Sequence, residues 1–166
     1  MSFASAVEPL RAANTLAGRE LYKTICVSHD GNPVTSSVGT VQPCEAKVGD
    51  MIDAGTLFVC AGGRPWSYGD KKTFAWLRLL SRRGVRIGGV SGGPYVLARS
   101  GIMEGRHMTI HWEHAPSLSE EYPDLLLTRS RYIIDRDRLT CAGGIAALDM
   151  MHAIIAEEHG KVFATP

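Results

Sequence analysis

Two apolar runs, each stopped by a pair of glycines and joined through one amphipathic helix, constrain this chain more than any other feature. Thr56-Leu57-Phe58-Val59-Cys60 is continuous and ends at Gly62-Gly63. A strand buried on both faces reads this way, whereas a half-exposed strand alternates. Lys72 to Arg83 then sets Phe74, Leu77 and Leu80 on one helical face. Gly84 stands just past its end, where a glycine closes a helix. Val85 to Val90 is the second run, and it stops at Ser91-Gly92-Gly93. Strand, helix and strand in this order form the unit of a parallel sheet covered on both faces, so the expected class is α/β. Ligands of such sheets bind beyond the carboxyl ends of the strands. That rule singles out two loops, Ala61-Gly62-Gly63-Arg64 and Ser91-Gly92-Gly93.

The flanking segments fit around this unit. Phe3 to Leu16 reads as a helix, with Pro9 a site of bending. Leu21 to Val27 reads as a strand, Asp30-Gly31-Asn32-Pro33 as a turn, and Val34 to Gln42 as a hairpin partner or edge strand. Pro94 to Ser100 is a helix that stops before Gly101, and Trp112 to Tyr122 is a second candidate helix. Tyr132 to Asp135 and Leu139 to Cys141 form a late hairpin around the charged tip Asp135-Arg136-Asp137-Arg138. Ile145 to His159 closes the chain as a helix with Ile145, Leu148, Met151, His152 and Ile155 on one face. A doubly wound domain ordinarily opens on a buried strand. This one opens on a helix, so either a first strand is missing or a later segment fills its place.

Size and charge exclude several classes. The 166 residues suit one domain, and 45% of them are apolar, enough for a core. A net charge of +1 without a basic stripe argues against a DNA-binding surface in this chain. No apolar run is long enough to span a bilayer, and Met1-Ser2-Phe3-Ala4 lacks the charged start of a signal peptide, so a cytoplasmic location is expected. Cys26, Cys44, Cys60 and Cys141 form no Cys-x-x-Cys pair and no Cys/His cluster of zinc-site spacing. Buried thiols at Cys26, Cys60 and Cys141 are expected, and no metal or cofactor.

Gly89-Val90-Ser91-Gly92-Gly93, between strand and helix, satisfies the G-x-S-x-G elbow pattern. A sharp turn would lift the Ser91 hydroxyl to the top of the sheet, beside backbone N–H groups near Gly92 and Gly93 that suit an oxyanion or a carboxylate. A serine nucleophile also needs a base and an orienting acid. His111, in Thr109-Ile110-His111-Trp112-Glu113-His114, is the candidate base, and Glu8, Glu113 and Asp149 are the acids to watch. His152 reads as a core residue and His159 as a charge suited to a helix end. Trp66, Tyr68, Tyr95 and Trp112 fall near the two loops. Should they converge, their rings would suit a cation.

The string from Gly89 to Arg106, completed by Thr109-Ile110-His111-Trp112, resembles the elbow region of AraC-family transcription regulators that carry a PfpI-type, class I glutamine-amidotransferase-like sensor domain. Ser5 to Asn14 is similar to the first helix of that family, and Asp137 to Asp149 to its closing strand and helix. The likeness covers nearly the whole chain. It implies a flavodoxin-like three-layer sandwich with a mostly parallel sheet, occupying 1–166 as a single effector-sensing and dimerisation domain. A short strand would precede the first helix, and the helix-turn-helix pair that reads DNA would follow the last one, outside this chain. Enzymes of the wider superfamily carry Cys at the elbow. Here Ser91 takes that place and His111 that of the histidine, while the position of the acid falls near Ser2. The resemblance therefore implies a non-catalytic pocket built from Ser91, Gly92, Gly93, His111, Trp112, Gly62, Gly63, Arg64 and Trp66. Its ligand would be a small nitrogenous carboxylate such as a betaine, carnitine or arginine, bound by a homodimer. The alternatives are a PfpI-like or serine hydrolase or amidase acting through Ser91 and His111, and a ligand-free dimerisation scaffold.

Overall fold

A computed structural model describes residues 1–164 and has the α/β architecture that the apolar runs require. Its elements are α1 (Ser2–Ala17), β1 (Val27–Ser28), β2 (Val34–Thr35), β3 (Val41–Gln42), β4 (Ala46–Lys47), β5 (Thr56–Ala61), α2 (Lys71–Arg82), β6 (Arg86–Ser91), α3 (Gly93–Arg99), β7 (His107–Met108), α4 (Ala115–Glu121), β8 (Leu126–Leu127), β9 (Tyr132–Asp135), β10 (Arg138–Cys141), α5 (Ala146–His159) and α6 (Lys161–Ala164). The principal sheet runs β5-β6-β10-β9. β6 pairs in parallel with both β5 and β10, and β9 closes the far edge antiparallel to β10. β1 with β4, β2 with β3 and β7 with β8 form three separate two-stranded ribbons.

Two cores lie on the two faces of this sheet. Trp76, Leu77 and Leu80 of α2 pack with Val96 and Leu97 of α3 and with Ile87, Met108 and Leu118. On the other face Ala6 of α1 meets Val90, Leu139 and Cys141 of the sheet and Ala147, Met150 and Ile154 of α5. Apolar burial of this kind stabilises at about 25 cal/mol per Å², and it makes the sheet a rigid floor for what stands at its carboxyl ends. Helix ends follow local chemistry. Asp70 caps α2 by accepting from the Thr73 N–H at 2.7 Å and the Thr73 hydroxyl at 2.6 Å. Gly84, at φ 83°, supplies the left-handed residue that ends it.

Several local expectations are corrected. The strand expected over Leu21–Val27 shrinks to β1, because Asn14 of α1 occupies the backbone upstream. Its Oδ1 accepts from the N–H groups of Leu21 and Tyr22, and its Nδ2 donates to the Tyr22 carbonyl. α1 runs unbroken through Pro9. β5 is parallel as expected, yet it forms the sheet edge and is only half-buried, and Cys60 on it is exposed. Cys26 is half-buried and Cys141 fully buried. The helix expected from Trp112 starts at Ala115. In α5 the buried residues are Ala146, Ala147, Met150, Met151, Ile154 and Ile155. Ile145, Leu148 and His152 face solvent, so His152 is not a core residue. Its Nε2 lies 2.7 Å from the Ala164 carbonyl.

Candidate functional site

The elbow forms as its sequence requires. Ser91 ends β6 at φ 62°, in the left-handed region that a non-glycine residue occupies only at a cost. β5 and β6 are in register at Ala61 and Ser91, which sets the Gly62–Arg64 loop beside the elbow. α3 begins so close to β5 that a Cβ on Gly93 would stand 1.9 Å from the Val59 carbonyl oxygen, so only glycine fits. From above, Gly143 (φ 84°) closes over Ser91, and a Cβ there would lie 2.6 Å from the Ser91 Cβ and 2.8 Å from its hydroxyl. The neighbouring Gly144 N–H donates to the Ser2 hydroxyl at 2.8 Å, so the start of α1 anchors this cover. Beneath the elbow, burial pushes the Cys141 thiol up, against the opposing pull of the Gly143 and Ser91 N–H groups. Cys141 is a buried thiol packed in the core beneath the elbow.

The anion cradle is smaller than expected. The Gly92 N–H is engaged, donating to the Ala61 carbonyl at 2.8 Å where the β5 loop turns against the elbow. Pro94 has no N–H, and the Tyr95 N–H donates to the Gly92 carbonyl. Within residues 92–95 this leaves the Gly93 N–H, beside the Ser91 hydroxyl, to meet an anion.

His111 is held next to the elbow by backbone, its N–H donating to the Ser91 carbonyl at 3.2 Å. Buried Thr109 fixes the approach: its N–H donates to Thr140 Oγ1 at 2.9 Å and its hydroxyl to the Ser130 carbonyl at 2.8 Å. Among the described residues no hydrogen bond joins the Ser91 hydroxyl to the His111 ring. The His111 Nδ1 instead receives the Glu113 N–H at 3.4 Å, and the Glu113 carboxylate stands 3.9 Å away, beyond hydrogen-bond reach. The other acids are engaged by arginines. Glu8 pairs with Arg11, and Asp149 with Arg131 at 2.9 Å.

The aromatic residues separate into two groups. Tyr95 is buried, its hydroxyl donating to Glu121 at 2.6 Å, and Tyr68 bonds Thr73 at 2.7 Å beside Phe74. Neither reaches the elbow loops as a free ring. Trp66 and Trp112 instead bracket two imidazoles. Trp66 meets His114 edge-on at 5.6 Å between centroids, His114 lies 5.6 Å from His111, and His111 lies 5.5 Å from Trp112. Trp112 is 78% exposed. Beside this row is an open concavity of about 510 Å³, lined by Trp66 and Tyr95 and by the carboxylates Glu113, Glu120 and Glu121. Ser91, Gly92, Gly93, Gly62, Gly63 and Arg64 are not among its lining residues. The predicted residues thus divide into an elbow group and a histidine–tryptophan row.

Glu113 was expected only as an acid that could orient His111, and His114 was not singled out by its sequence. His114 is 3% exposed, and its Nδ1 is buried without a hydrogen-bond partner among the described residues. Burial pushes its imidazole below the ordinary value, Glu113 pulls the other way, and His111 adds to the fall. His111, Glu113 and His114 each present a ligating atom, all within 4.8 Å of one another. The sequence signal is His111-Trp112-Glu113-His114, which lacks the Cys/His spacing of structural zinc sites.

The sequence pattern of the DJ-1/PfpI family matches residues 4–157. The chain belongs to the DJ-1/PfpI family. Among its relatives, the HTH-type transcriptional regulator GlxA of Rhizobium meliloti is 49% identical over 165 residues, covering 99% of this chain and 51% of that protein. The HTH-type transcriptional regulator CdhR of Pseudomonas aeruginosa is 40% identical over 164 residues, covering 99% of this chain and 48% of that one. The chain thus spans about half the length of these relatives. Among solved structures, an AraC family transcriptional regulator from Pseudomonas putida superposes with a TM-score of 0.85 at 26% identity, over 98% of this chain and 88% of that one. This DJ-1/PfpI domain therefore has the flavodoxin-like, glutamine-amidotransferase-like fold, and the two relatives named above are transcription regulators. No helix among the described residues is long and apolar enough to cross a membrane.

Proposed function

We propose that this DJ-1/PfpI domain is the effector-sensing part of an AraC-type transcription regulator and that it binds its effector without turning it over. One observation carries this reading: the elbow is intact while its base is not aligned. Ser91 has the strained φ of a nucleophile, yet His111 directs Nδ1 toward the Glu113 N–H, and Glu8 and Asp149 are held by arginines. A serine hydroxyl without an oriented base stays protonated and serves as a hydrogen-bonding group. The Ser91 hydroxyl and the Gly93 N–H suit a carboxylate, and Trp66, Trp112 and the nearby glutamates suit a cationic end. This pairing favours a betaine, carnitine or arginine-like effector.

The same proposal covers organisation. The free edge of β5 fits a strand preceding α1, and the unmatched half of the relatives fits a DNA-reading segment following α6. Dimerisation through this domain would match a two-part DNA site, and sedimentation velocity tests it directly.

A calorimetric and thermal-shift screen with betaines, carnitine and arginine tests the sensor reading, with Ser91→Ala as control. The expected result is saturable binding by the wild type, weakened in a Ser91→Ala protein that melts like the parent. Unfolding of Ser91→Ala, or binding unaltered by it, would refute the pocket assignment. The left-handed Ser91 also favours a second reading, a serine hydrolase or amidase using Ser91 and His111. Turnover of generic esters or amides that disappears in Ser91→Ala would establish it.

A further inference from the structure

We propose that His111, Glu113 and His114 form a site for a divalent transition-metal ion of the zinc type. The strongest reason is His114. It is 97% removed from solvent by residue exposure of 3%, and its Nδ1 has no hydrogen-bond partner among the described residues. A buried polar atom left without a partner costs about 1–3 kcal/mol. A buried imidazole nitrogen without a hydrogen-bond partner is a free donor of the kind a metal ion takes from histidine.

The neighbours complete a ligand set. His111, Glu113 and His114 offer one donor atom each within 4.8 Å of one another, and the His111 Nδ1 to Glu113 Oε2 distance is already 3.9 Å. Bonds of about 2.0–2.1 Å to nitrogen and oxygen in a tetrahedral site put donors about 3.3–3.4 Å apart. Closing the difference calls for rotation of the Glu113 side chain, which is 65% exposed, and small adjustments of the two imidazole rings. Two histidines and one carboxylate form a donor set typical of zinc sites that keep a position open to solvent.

The surroundings favour a cation and hold the ligands. Glu113, Glu120 and Glu121 line the adjoining concavity. Trp66 packs edge-on against the His114 ring, and Trp112 lies tilted, at 34°, beside the His111 ring. Thr109 and the Ser91 carbonyl fix the backbone of the segment from below. His114 directly precedes α4, whose N-terminal dipole opposes a cation. That helix has only seven residues, and three carboxylates stand against it. The proposal does not rest on the sensor reading, and an unsuccessful effector screen would leave it standing.

The test is titration of the chelator-treated chain with Zn²⁺ and, for spectra, Co²⁺. Wild type is expected to bind one equivalent and to melt roughly 5–10 °C higher at a hundred-fold excess over Kd. Glu113→Gln and His111→Ala should each weaken binding by roughly ten-fold or more, while His107→Ala, an exposed histidine away from the cluster, should bind like the parent. His114→Phe, which keeps a ring against Trp66, should lose the metal-dependent rise in Tm. No saturable one-to-one binding would overturn the proposal. So would variants that bind like the parent, or a cobalt thiolate charge-transfer band, which would put the ion on the cysteines.

Discussion

Substituting Gly143 measures how tightly the β10–α5 loop covers the elbow. Gly143 and Gly144 are adjacent and both left-handed, at φ 84° and 58°. Their surroundings differ. A Cβ on Gly144 meets nothing within 4 Å, whereas one on Gly143 meets the Ser91 Cβ, Oγ and Cα at 2.6, 2.8 and 2.9 Å. Gly144→Ala should therefore cost only the strain of a side chain at positive φ, about 1–2 kcal/mol. Gly143→Ala should cost that strain and, in addition, about 1–3 kcal/mol for forcing a methyl into occupied space. Ser91 cannot retreat freely, because its carbonyl holds the His111 N–H and the backbone beside it is fixed by the Gly92 to Ala61 bond. Urea unfolding of the parent, both single variants and Gly143→Ala in a Ser91→Gly background would separate the two costs. Removing the Ser91 Cβ and hydroxyl should return at least about 1 kcal/mol of the Gly143→Ala loss, as contacting residues couple. Equal midpoints for Gly143→Ala and Gly144→Ala, or a Gly143→Ala loss unchanged by Ser91→Gly, would refute the idea that this loop covers the elbow.

Other consequences follow from the same geometry. Without metal, His114→Phe removes the partnerless nitrogen while keeping the ring against Trp66. It should leave stability unchanged or raise it by about 1 kcal/mol in thermal or urea unfolding, and a loss above that size would mean the nitrogen has a partner. At the hairpin tip, the hydrogen bond from Arg136, helped by the His107 N–H, lowers the Asp135 carboxyl from 3.8 to about 2. NMR titration should find that midpoint, and Arg136→Ala should move it back toward 3.8. The group favours the folded state fully above its ordinary value, and that contribution disappears as pH falls through about 2. Ser91→Ala should leave the melting temperature near the parent value, since the Ser91 hydroxyl has no hydrogen-bond partner among the described residues while its backbone does.

The central unit was legible because its signals were local and agreed with one another. The two apolar runs, the amphipathic α2 and the glycines that stop them give β5, α2 and β6 within a residue or two. The late hairpin was equally plain. Errors came where a distant side chain decided the matter. Nothing in Leu21–Val27 announces that Asn14 will satisfy the backbone of Leu21 and Tyr22 and keep them out of a sheet. The face of α5 was misjudged because it packs both on the sheet and against α1, which buries Ala147, Met150, Ile154 and Ile155 while Ile145 and Leu148 turn outward. At the site, the φ of Ser91 was readable from the glycines around it. The use of the Gly92 N–H by Ala61 was not, because it depends on how the β5 loop turns. The burial of His114 was hidden as well, since Trp66, which lies against it, is far away in sequence.

These details bear on how the elbow is held when no base is hydrogen-bonded to the Ser91 hydroxyl. Holding Ser91 at φ 62° opposes folding, so something must hold the backbone there. In this chain the restraint is structural. α3 starts against Val59, the Gly92 N–H closes onto Ala61, His111 bonds the Ser91 carbonyl, and Gly143 presses from above. The backbone restraints act whichever side chain occupies position 91. A thiol or a hydroxyl would be presented in the same place, and only the groups around it decide whether it reacts. Those groups stand apart here: Glu8 pairs with Arg11, Asp149 with Arg131, and His111 lies in the row with His114 and Glu113. What the fold retains is a rigid polar knob at the end of a sheet, next to a histidine row open to solvent. That is the form in which a binding site can change its ligand without disturbing the scaffold that carries it.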